Sequence, residues 1–364
     1  MNTLFIQQEL LRWFARHQRD LPWRQSYDPY QVWISEIMGQ QTQMDRVAVY
    51  FRRWLERFPD IQAVAEAPEQ DLLKAWEGLG YYSRVRNLAK AARQMVAGHG
   101  GRVPDTLASL RALPGIGDYT AAAILSIGFN HPIPLLDANV ERLFARLADI
   151  GSPIKHKAAR TQLASMAEAL LDRSNPRAFN QALMEFGALV CTPKNPRCGQ
   201  CPLCQDCSSL RADTVEFRPL PQKKGQRIDI TMSCGIINHQ GHYYIQQRLA
   251  DDIWGGLWEF PGGRLKDGES PQTAAEREVF EETELHADAF EPYKTVVHHY
   301  TRYRVTLHGF LCRLKAPFVT IPTLHAATQY RWVTLEELTS FPFPAGHRLL
   351  VAALMQSKFP EKRE

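Results

Sequence analysis

The segment LPGIGDYTAAAILS, Leu113 to Ser126, places two glycines two residues apart just ahead of a run of small residues. Gly115 and Gly117 can adopt backbone angles closed to other residues, so consecutive N–H groups can point outward where a helix begins. Such an arrangement holds a phosphate oxygen, although an isolated G-x-G also suits an ordinary turn between helices. The segment therefore predicts a hairpin between helices that is able to grip a phosphate.

About twenty residues further on, LLDANVERLFARL places Asp137 directly after an apolar run and just before a new helix. An aspartate at that position is suited to cap the helix N-terminus, which is an ordinary structural role. A phosphate-binding hairpin, this aspartate and then a cysteine-rich run follow one another along the chain. This order makes Asp137 a candidate functional residue in addition to a helix cap.

Four cysteines, Cys191, Cys198, Cys201 and Cys207, follow with the spacing C-x6-C-x2-C-x5-C. Thiolates so close along the chain can reach one inorganic centre, and they are the ligands of iron–sulfur clusters. The loop lengths differ from the paired C-x2-C knuckles of zinc sites, so a zinc site is less expected than a cluster but is not excluded. Cys204 offers an alternative ligand within CPLC. We predict one [4Fe–4S] cluster held by Cys191, Cys198, Cys201 and Cys207, with zinc as the alternative.

The composition is that of a globular protein, with 364 residues, 45% apolar and 23% charged. The chain contains no run of about 18 apolar residues that could span a membrane. Its first twenty residues lack the apolar block and cleavage site of a secretory signal. Seven cysteines, an odd number, fit a reducing compartment better than a disulfide framework. We therefore expect a cytoplasmic protein.

Two domains are expected from the length and from a change in sequence texture. Residues 1–210 show helical periodicity, residues 211–227 form a polar, proline-containing linker, and residues 228–361 read as an α+β domain. Residues 1–225 carry 28 Lys and Arg against 22 Asp and Glu, whereas residues 226–364 carry 15 against 17. The modest basic excess in the first part suits a polyanionic partner there.

Several further motifs place the first 225 residues in a known family. They are LPWR (Leu21–Arg24), WISEIMGQQTQ (Trp33–Gln43), WEGLGYYSRVRNL (Trp76–Leu88) and FNQALMEFGALVCTP (Phe179–Pro193). With the hairpin and the cysteine run, they resemble MutY-type adenine DNA glycosylases, which are helix-hairpin-helix enzymes with an iron–sulfur loop. The resemblance implies an all-α glycosylase part and a monomer that binds double-stranded DNA. The implied reaction is hydrolysis of the N-glycosidic bond of adenine mispaired with 8-oxoguanine or guanine, in base excision repair.

The resemblance also assigns catalytic roles. Glu36 would be the acid that protonates the adenine, and its apolar neighbours would raise its pKa by burial. Asp137 would be the carboxylate that stabilises the sugar cation, oriented by Asn139. Tyr119 stands where related bifunctional glycosylases have a Schiff-base lysine, so we expect weak or absent strand cleavage.

Other positions of the motifs are implied to contact DNA. Gln41 and Tyr82 would fill the gap that the flipped adenine leaves, although Tyr82 could instead be a core residue. Glu185 and Arg24 are candidates for adenine recognition. Gly39 departs from the family pattern, which usually has leucine before QQT, and this removes an apolar contact near the lesion.

The rear domain resembles the Nudix fold through GRLKDGESPQTAAEREVFEETEL, residues 263–285. Carboxylates at Glu278, Glu281 and Glu282 lie near one helix face and would hold Mg²⁺ only if the domain is hydrolytic. Glu284 replaces the penultimate glycine of the Nudix pattern.

Many adenine glycosylases use this fold instead as a reader of oxidised guanine, through a hairpin with the pattern H-x-F-S-H. The corresponding residues are 298–302, in which Thr301 keeps a hydroxyl and Arg302 replaces the usual histidine. We favour a recognition domain over a pyrophosphatase.

Three alternatives remain. The protein could be a mismatch glycosylase with another target base, a nucleotide pyrophosphatase whose front part only binds DNA, or a catalytically inactive DNA-binding module. The pair Glu36 and Asp137 argues against the first and the last, because an acid and an anion together suit purine excision.

Overall fold

A computed structural model describes residues 2–221, 226–316 and 320–357. Residues 222–225 of the predicted linker and residues 358–361 of the predicted rear domain lie outside these ranges. The chain divides into two compact units. We call Met1–Ala67 with Arg86–Lys223 the helical unit, and Pro68–Val85 with Lys224–Glu364 the sheet unit. The predicted domain ranges are contiguous, whereas these units are not, and the predicted boundaries remain a prediction.

Twelve α-helices occupy the described residues up to Arg211. They are α1 (Thr3–His17), α2 (Pro29–Gly39), α3 (Met44–Arg57), α4 (Ile61–Glu66), α5 (Glu69–Trp76), α6 (Ser83–His99), α7 (Leu107–Arg111), α8 (Asp118–Ala123), α9 (Ala138–Leu147), α10 (Lys157–Leu170), α11 (Pro176–Leu189) and α12 (Ser208–Arg211). A π-helical turn, Ile124–Gly128, continues α8. The sheet unit takes α5 and the first residues of α6.

Side-chain caps fix where several of these helices begin. Asn2, Asp28 and Asp137 each accept a hydrogen bond from the backbone N–H three residues later, at the starts of α1, α2 and α9. The apolar faces of α1, α9, α10 and α11 then pack into one core that includes Phe144 and Phe186. Two predicted catalytic residues belong to these elements: Glu36 lies near the end of α2, and Asp137 is the N-cap of α9.

The predicted hairpin connects α7 and α8. Gly115 has a φ of 79°, and a Cβ there would lie 2.8 Å from the Cβ of Asn87. Both the backbone angle and this close approach require glycine. Gly117 is the extended N-cap of α8, and both glycines are exposed.

The sheet unit is built on one mixed sheet. Its strands are β1 (Ile228–His239), β2 (His242–Arg248), β3 (Trp258–Glu259), β4 (Gly262–Arg264), β5 (Ala287–Tyr300), β6 (Tyr303–Leu314) and β7 (Ala327–Val333). The main path runs β3-β2-β1-β6-β5, with β4 paired to β1 and β7 paired to β2. Strands β1 and β6 are parallel and the other pairs are antiparallel.

Two further helices, α13 (Pro271–Thr283) and α14 (Ala345–Gln356), complete this unit. Val279 of α13 and Leu350 of α14 belong to two separate apolar clusters, each containing residues of β1. Strands β1 and β2 pair as an antiparallel hairpin around the turn NHQG, Asn238–Gly241. The predicted fold class, a helical part followed by an α+β part, is confirmed.

No helix in residues 2–221, 226–316 and 320–357 has the length and apolar character needed to cross a bilayer.

Candidate active site

A cavity of about 590 Å³ lies in the helical unit and is lined by most of the residues predicted to act on adenine. Its volume falls within the usual range for ligand pockets, about 300–1,000 Å³. Its walls come from segments far apart in sequence, including the end of α2, the start of α8, the start of α9 and the middle of α11. The predicted residues that line it are Arg24, Glu36, Gln41, Tyr119, Asp137, Asn139 and Glu185.

Glu36 lies on α2 among the buried residues Val32, Trp33 and Ile37. Burial raises the pKa of its carboxyl to about 7, and the negative charge of Asp137 adds to the increase. The hydroxyl of Tyr119 donates to Glu36 Oε2 at 2.7 Å and acts in the opposite direction. A carboxyl with this pKa carries a proton for much of the time near neutral pH, as a general acid requires.

Asp137 is the N-cap of α9 and is held by two donors. The Val140 N–H donates to Oδ1 and the Asn139 Nδ2 donates to Oδ2, each at 2.7 Å. Burial raises the pKa of Asp137, whereas these two hydrogen bonds and the charge of Arg142 favour its anionic form. Among the described residues, Glu36 accepts a side-chain hydrogen bond from Tyr119 alone, and this donor is neutral. We therefore expect Glu36 to carry a proton while Asp137 is anionic.

The orientation of Asn139 depends on a buried arginine. Arg142 Nη2 donates to Asn139 Oδ1 at 2.9 Å and to the Gly187 carbonyl at 2.7 Å. Its Nε donates to the carbonyl of Cys191 at 2.8 Å. A continuous series of hydrogen bonds therefore runs from the first cysteine of the run to Asp137. Sequence reasoning missed Arg142, although its position five residues after Asp137 on a capped helix was a usable signal.

Glu185 is only 2% exposed and is bound by two arginines. Arg19 donates to it from its backbone N–H and its guanidinium, and Arg24 Nη2 donates to Oε2 at 3.0 Å. Burial acts to raise the pKa of Glu185, but these hydrogen bonds outweigh it and lower the pKa to about 2. Glu185 is thus a fixed anion, and Arg19 is a neighbour that sequence reasoning missed.

Gly39 and Gln41 lie where α2 ends. Gln41 is exposed and has a φ of 58°, which directs the chain away from the helix. A Cβ on Gly39 would meet only the Met44 Cε, at 3.5 Å. A Cβ therefore fits at this position, so no close contact requires glycine here.

The cysteine run folds into two short turns beside α9. All five of its cysteines line one small cavity, together with Leu143, Arg146 and Leu147. Arg146 is 2% exposed, and its Nη1 lies 3.4 Å from Cys191 Sγ. In the part of the chain that the structure describes, no group of three or more His, Cys, Asp or Glu side chains is placed to hold a single metal ion.

Two residues predicted to contact DNA lie in the sheet unit, at a second cavity of about 190 Å³. Thr301 is exposed at the turn between β5 and β6. Tyr82 is buried, and its hydroxyl donates to the Phe343 carbonyl at 3.3 Å. Tyr81 is half-buried, has a φ of 48° and packs against Tyr300, with ring centroids 5.6 Å apart. Tyr82 is therefore largely enclosed by the protein, as the alternative of a core residue predicts, whereas Tyr81 is partly exposed.

The Nudix-box carboxylates are engaged with other protein groups. Arg277 pairs with Glu278 and Glu281, at 2.7 and 2.8 Å, and also with Glu269. Glu282 accepts hydrogen bonds from Gln246 Nε2 at 2.8 Å and from the Gly262 N–H at 2.9 Å.

Glu284, which replaces the glycine of the Nudix pattern, ends α13 in the left-handed conformation, with a φ of 54°. This is a backbone position that favours glycine, so the substitution keeps the turn at some conformational cost.

Comparison with protein families matches both units of the chain. Residues 34–168 match the HhH-GPD superfamily of base excision DNA repair proteins, and residues 232–353 match the NUDIX domain. The first match includes Glu36, Tyr119 and Asp137, whereas the cysteine run lies after its end.

Among solved structures, a thermostable thymine-DNA glycosylase aligns with a TM-score of 0.54 and 28% identity, over 58% of this chain and 97% of that one. A trapped endonuclease III–DNA covalent intermediate aligns with a TM-score of 0.51 and 21% identity, over 59% and 99% of the two chains. The second likeness concerns the fold alone.

Curated relatives extend the match to most of the chain. The adenine DNA glycosylase of Buchnera aphidicola is 35% identical over 262 residues, which are 72% of this chain and 76% of the relative. The adenine DNA glycosylase of Homo sapiens is 32% identical over 90% of this chain and 70% of its own length. The chain therefore belongs to the adenine DNA glycosylases, DNA-binding enzymes of base excision repair that hydrolyse N-glycosyl bonds.

Proposed function

We propose that this protein removes adenine from DNA where it is mispaired with 8-oxoguanine or guanine. The observation that carries the proposal is the arrangement of Tyr119, Glu36 and Asp137 in one cavity, with Tyr119 donating to Glu36 at 2.7 Å. A nucleotide bound in this cavity would therefore meet one protonated carboxyl, that of Glu36, and one carboxylate, that of Asp137. This division of labour is the one that glycoside hydrolysis uses.

In the proposed reaction the Glu36 carboxyl transfers its proton to a ring nitrogen of the flipped adenine. The C1′–N9 bond then breaks, its electron pair leaves with the base, and the sugar becomes cation-like. The Asp137 carboxylate stabilises that cation. Water adds to C1′ and loses a proton, which restores the protonated state of Glu36 and leaves an abasic site.

Tyr119 occupies the position of a Schiff-base lysine in related bifunctional enzymes, and a phenol cannot form that intermediate. Burial raises the pKa of the Tyr119 hydroxyl well above its usual value, so it remains a neutral hydrogen-bond donor. The enzyme would then release adenine without cutting the strand. Prompt strand cleavage before alkali or heat would contradict this part of the proposal.

Adenine recognition and base flipping are assigned to residues around the cavity. Glu185, fixed as an anion by Arg19 and Arg24, is suited to accept a hydrogen bond from the exocyclic amine of adenine. Gln41 is exposed at the rim and is suited to fill the vacated stack. Tyr81 is proposed as the aromatic wedge in place of Tyr82, because Tyr82 is buried. Gly115 and Gly117 would face a DNA phosphate.

A [4Fe–4S] cluster is proposed for the cysteine run, with Cys191, Cys198, Cys201 and Cys207 as ligands. The donor set fits, because these thiols line one cavity and the buried Arg146 guanidinium offsets the negative charge of thiolates. When bound, the cluster would supply a structural anchor for this loop. The Arg142 hydrogen bonds would transmit that anchoring to Asn139 and Asp137.

We assign the sheet unit to recognition of 8-oxoguanine through the β5–β6 turn that carries Thr301. Arg277, Gln246 and the Gly262 N–H occupy the carboxylates that would otherwise bind Mg²⁺, which supports a reader over a hydrolase. We propose that the enzyme acts in the cytoplasm at the nucleoid, because its substrate is DNA. We expect it to act as a monomer.

The test measures single-turnover base release from duplexes with A opposite 8-oxoguanine, A opposite G and T opposite G. We expect rates to fall in that order, with no release of thymine. Faster release of thymine would support the alternative target suggested by the thymine-DNA glycosylase likeness. In parallel, incubation with 8-oxo-dGTP and Mg²⁺ should release no pyrophosphate, and robust release would overturn the assignment of the sheet unit.

A further inference from the structure

The cavity of about 190 Å³ in the sheet unit is lined by an arginine whose Nε lacks an acceptor among the described residues. Arg348 is half-buried, and its Nε is buried. A buried N–H group without an acceptor is costly unless a ligand supplies one.

The position of Arg348 on its helix adds to this cost. It lies in the first turn of α14, where the helix dipole presents partial positive charge, so a cation there is disfavoured. His298 supports the start of this helix closely, since a Cβ on Gly346 would lie 2.9 Å from His298 Cε1. Burial lowers the pKa of His298, so this neighbour is neutral and supplies no negative charge. Local structure therefore does not explain the cation.

The rest of the cavity is aromatic. Trp254, Tyr300 and Tyr81 line it, with centroid distances of 5.6 Å from Tyr300 to each of the other two rings. Aromatic rings stack on nucleobases, whereas a phosphate gains nothing from them. An arginine fork beside aromatic rings can donate to acceptors on a base edge while the rings contact the base. Oxidation at C8 converts N7 of guanine from an acceptor into an N–H donor and adds the O8 carbonyl, an acceptor that guanine lacks.

We infer that Arg348 is a specificity-determining residue that donates hydrogen bonds to the oxidised guanine opposite the target adenine. This inference rests on the proposed function and deepens it, because it names the side chain that distinguishes 8-oxoguanine from guanine. The same chemistry could come from a free oxidised nucleotide, and we assign the cavity to the base in duplex DNA. Thr301, at the same cavity, would contribute a second hydrogen bond.

The experiment compares single-turnover adenine release opposite 8-oxoguanine and opposite guanine for the wild type, Arg348→Met and Arg348→Lys. Methionine keeps an unbranched apolar chain without the charge, and lysine keeps the charge without the fork. We expect both variants to lower the ratio of the two rates, by about tenfold for methionine. Arg331→Met is the matched control, since Arg331 is an exposed arginine on β7, and it should leave the ratio unchanged.

Three outcomes would overturn the inference. The first is an unchanged ratio in folded Arg348→Met protein. The second is a parallel loss on both duplexes with weaker salt dependence, which would indicate a phosphate contact. The third is an unchanged ratio together with Arg348-dependent inhibition by 8-oxo-dGMP but not by dGMP, which would assign the cavity to a free nucleotide. If Arg348→Met fails to fold by circular dichroism, Arg348→Lys decides the question.

A failure of the proposed function would look different. If the wild type itself releases adenine equally fast opposite 8-oxoguanine and guanine, the proposed preference for the lesion is wrong. If the wild type shows the preference and Arg348→Met retains it, only the role of Arg348 is wrong.

Discussion

Both units of this protein contain buried carboxyls whose pKa is raised, but their surroundings differ. In the helical unit, burial raises the pKa of Glu36 to about 7, and the group lines a cavity of about 590 Å³. In the sheet unit, burial raises the pKa of Glu282 to about 8 and that of Glu259 to about 7. Gln246 and the Gly262 N–H bind Glu282, and Arg248 binds Glu259. A raised pKa therefore indicates burial, and only an open cavity beside the group indicates chemistry.

The largest expected effect contrasts the two carboxyls directly. Glu36→Gln removes the proton donor and should slow adenine release opposite 8-oxoguanine by about 10³-fold, within the range for general acids. Glu282→Gln keeps the hydrogen-bonding shape in the sheet unit and should leave the rate within about twofold, since that carboxyl is not part of the proposed reaction. Single-turnover kinetics on one duplex measure both, and equal losses would refute the contrast.

The next largest effect concerns the hydrogen bonds that orient Asp137 in the helical unit. Arg142→Gln breaks the hydrogen bonds from Cys191 to Asn139, so Asp137 loses its orientation, and turnover should fall about 10- to 100-fold. Binding of a duplex with a non-cleavable adenine analogue should change little, which separates positioning from DNA affinity. Iron content, measured on the same preparations, is the control. If the variant loses iron, its slower turnover would reflect damage to the cysteine loop and not the orientation of Asp137.

A smaller effect tests the phenol that donates to Glu36, where Glu282 of the sheet unit has amide donors instead. The Tyr119 hydroxyl lowers the pKa of Glu36, so Tyr119→Phe should raise it further. Because Glu36 acts when protonated, activity is present below its pKa and is lost as pH rises through about 7. In Tyr119→Phe this alkaline limb should move to higher pH, with about tenfold slower turnover. A limb that moves to lower pH would contradict the assignment of the acid.

The smallest effect is on stability and should be shared by both units. A carboxyl whose folded pKa is raised above its unfolded value costs stability above the folded pKa and costs none below the unfolded pKa. Glu36→Gln should therefore stabilise the protein by about 1–3 kcal/mol at pH 8 and by little at pH 4.5. Glu282→Gln should also stabilise the protein, but its full effect should appear only at a higher pH, because the pKa of Glu282 is about 8. Thermal unfolding at the two pH values measures this, and a pH-independent gain would contradict the shifts.

Much of this protein could be predicted from local sequence. Gly115 is required by its backbone angle and by its contact with Asn87, and Asp137 caps its helix as the apolar-to-helix transition predicted. The fold class and the family follow from such local patterns because caps, turns and periodicity involve residues a few positions apart. The family resemblance singled out Glu36, and its apolar neighbours on the same helix made a raised pKa plausible; its role remains a proposal.

Contacts between distant segments could not be predicted in this way. Arg19 and Glu185 are 166 residues apart, yet their hydrogen bonds fix the only carboxylate of the cavity with a pKa near 2 among the residues described. Arg142 joins Cys191 to Asn139 in the same manner. Such pairs depend on how helices pack, which spacing along one helix does not specify.

The two adjacent tyrosines show the division most clearly. The sequence GLGYYS places two tyrosines after a glycine-rich turn, and the family resemblance assigned the wedge to the second, Tyr82. The tertiary structure buries Tyr82, whose hydroxyl donates to the Phe343 carbonyl, and leaves Tyr81, which has a positive φ, partly exposed. Local pattern thus determined which chemical groups are available, and packing decided which of them reach the surface or the cavity.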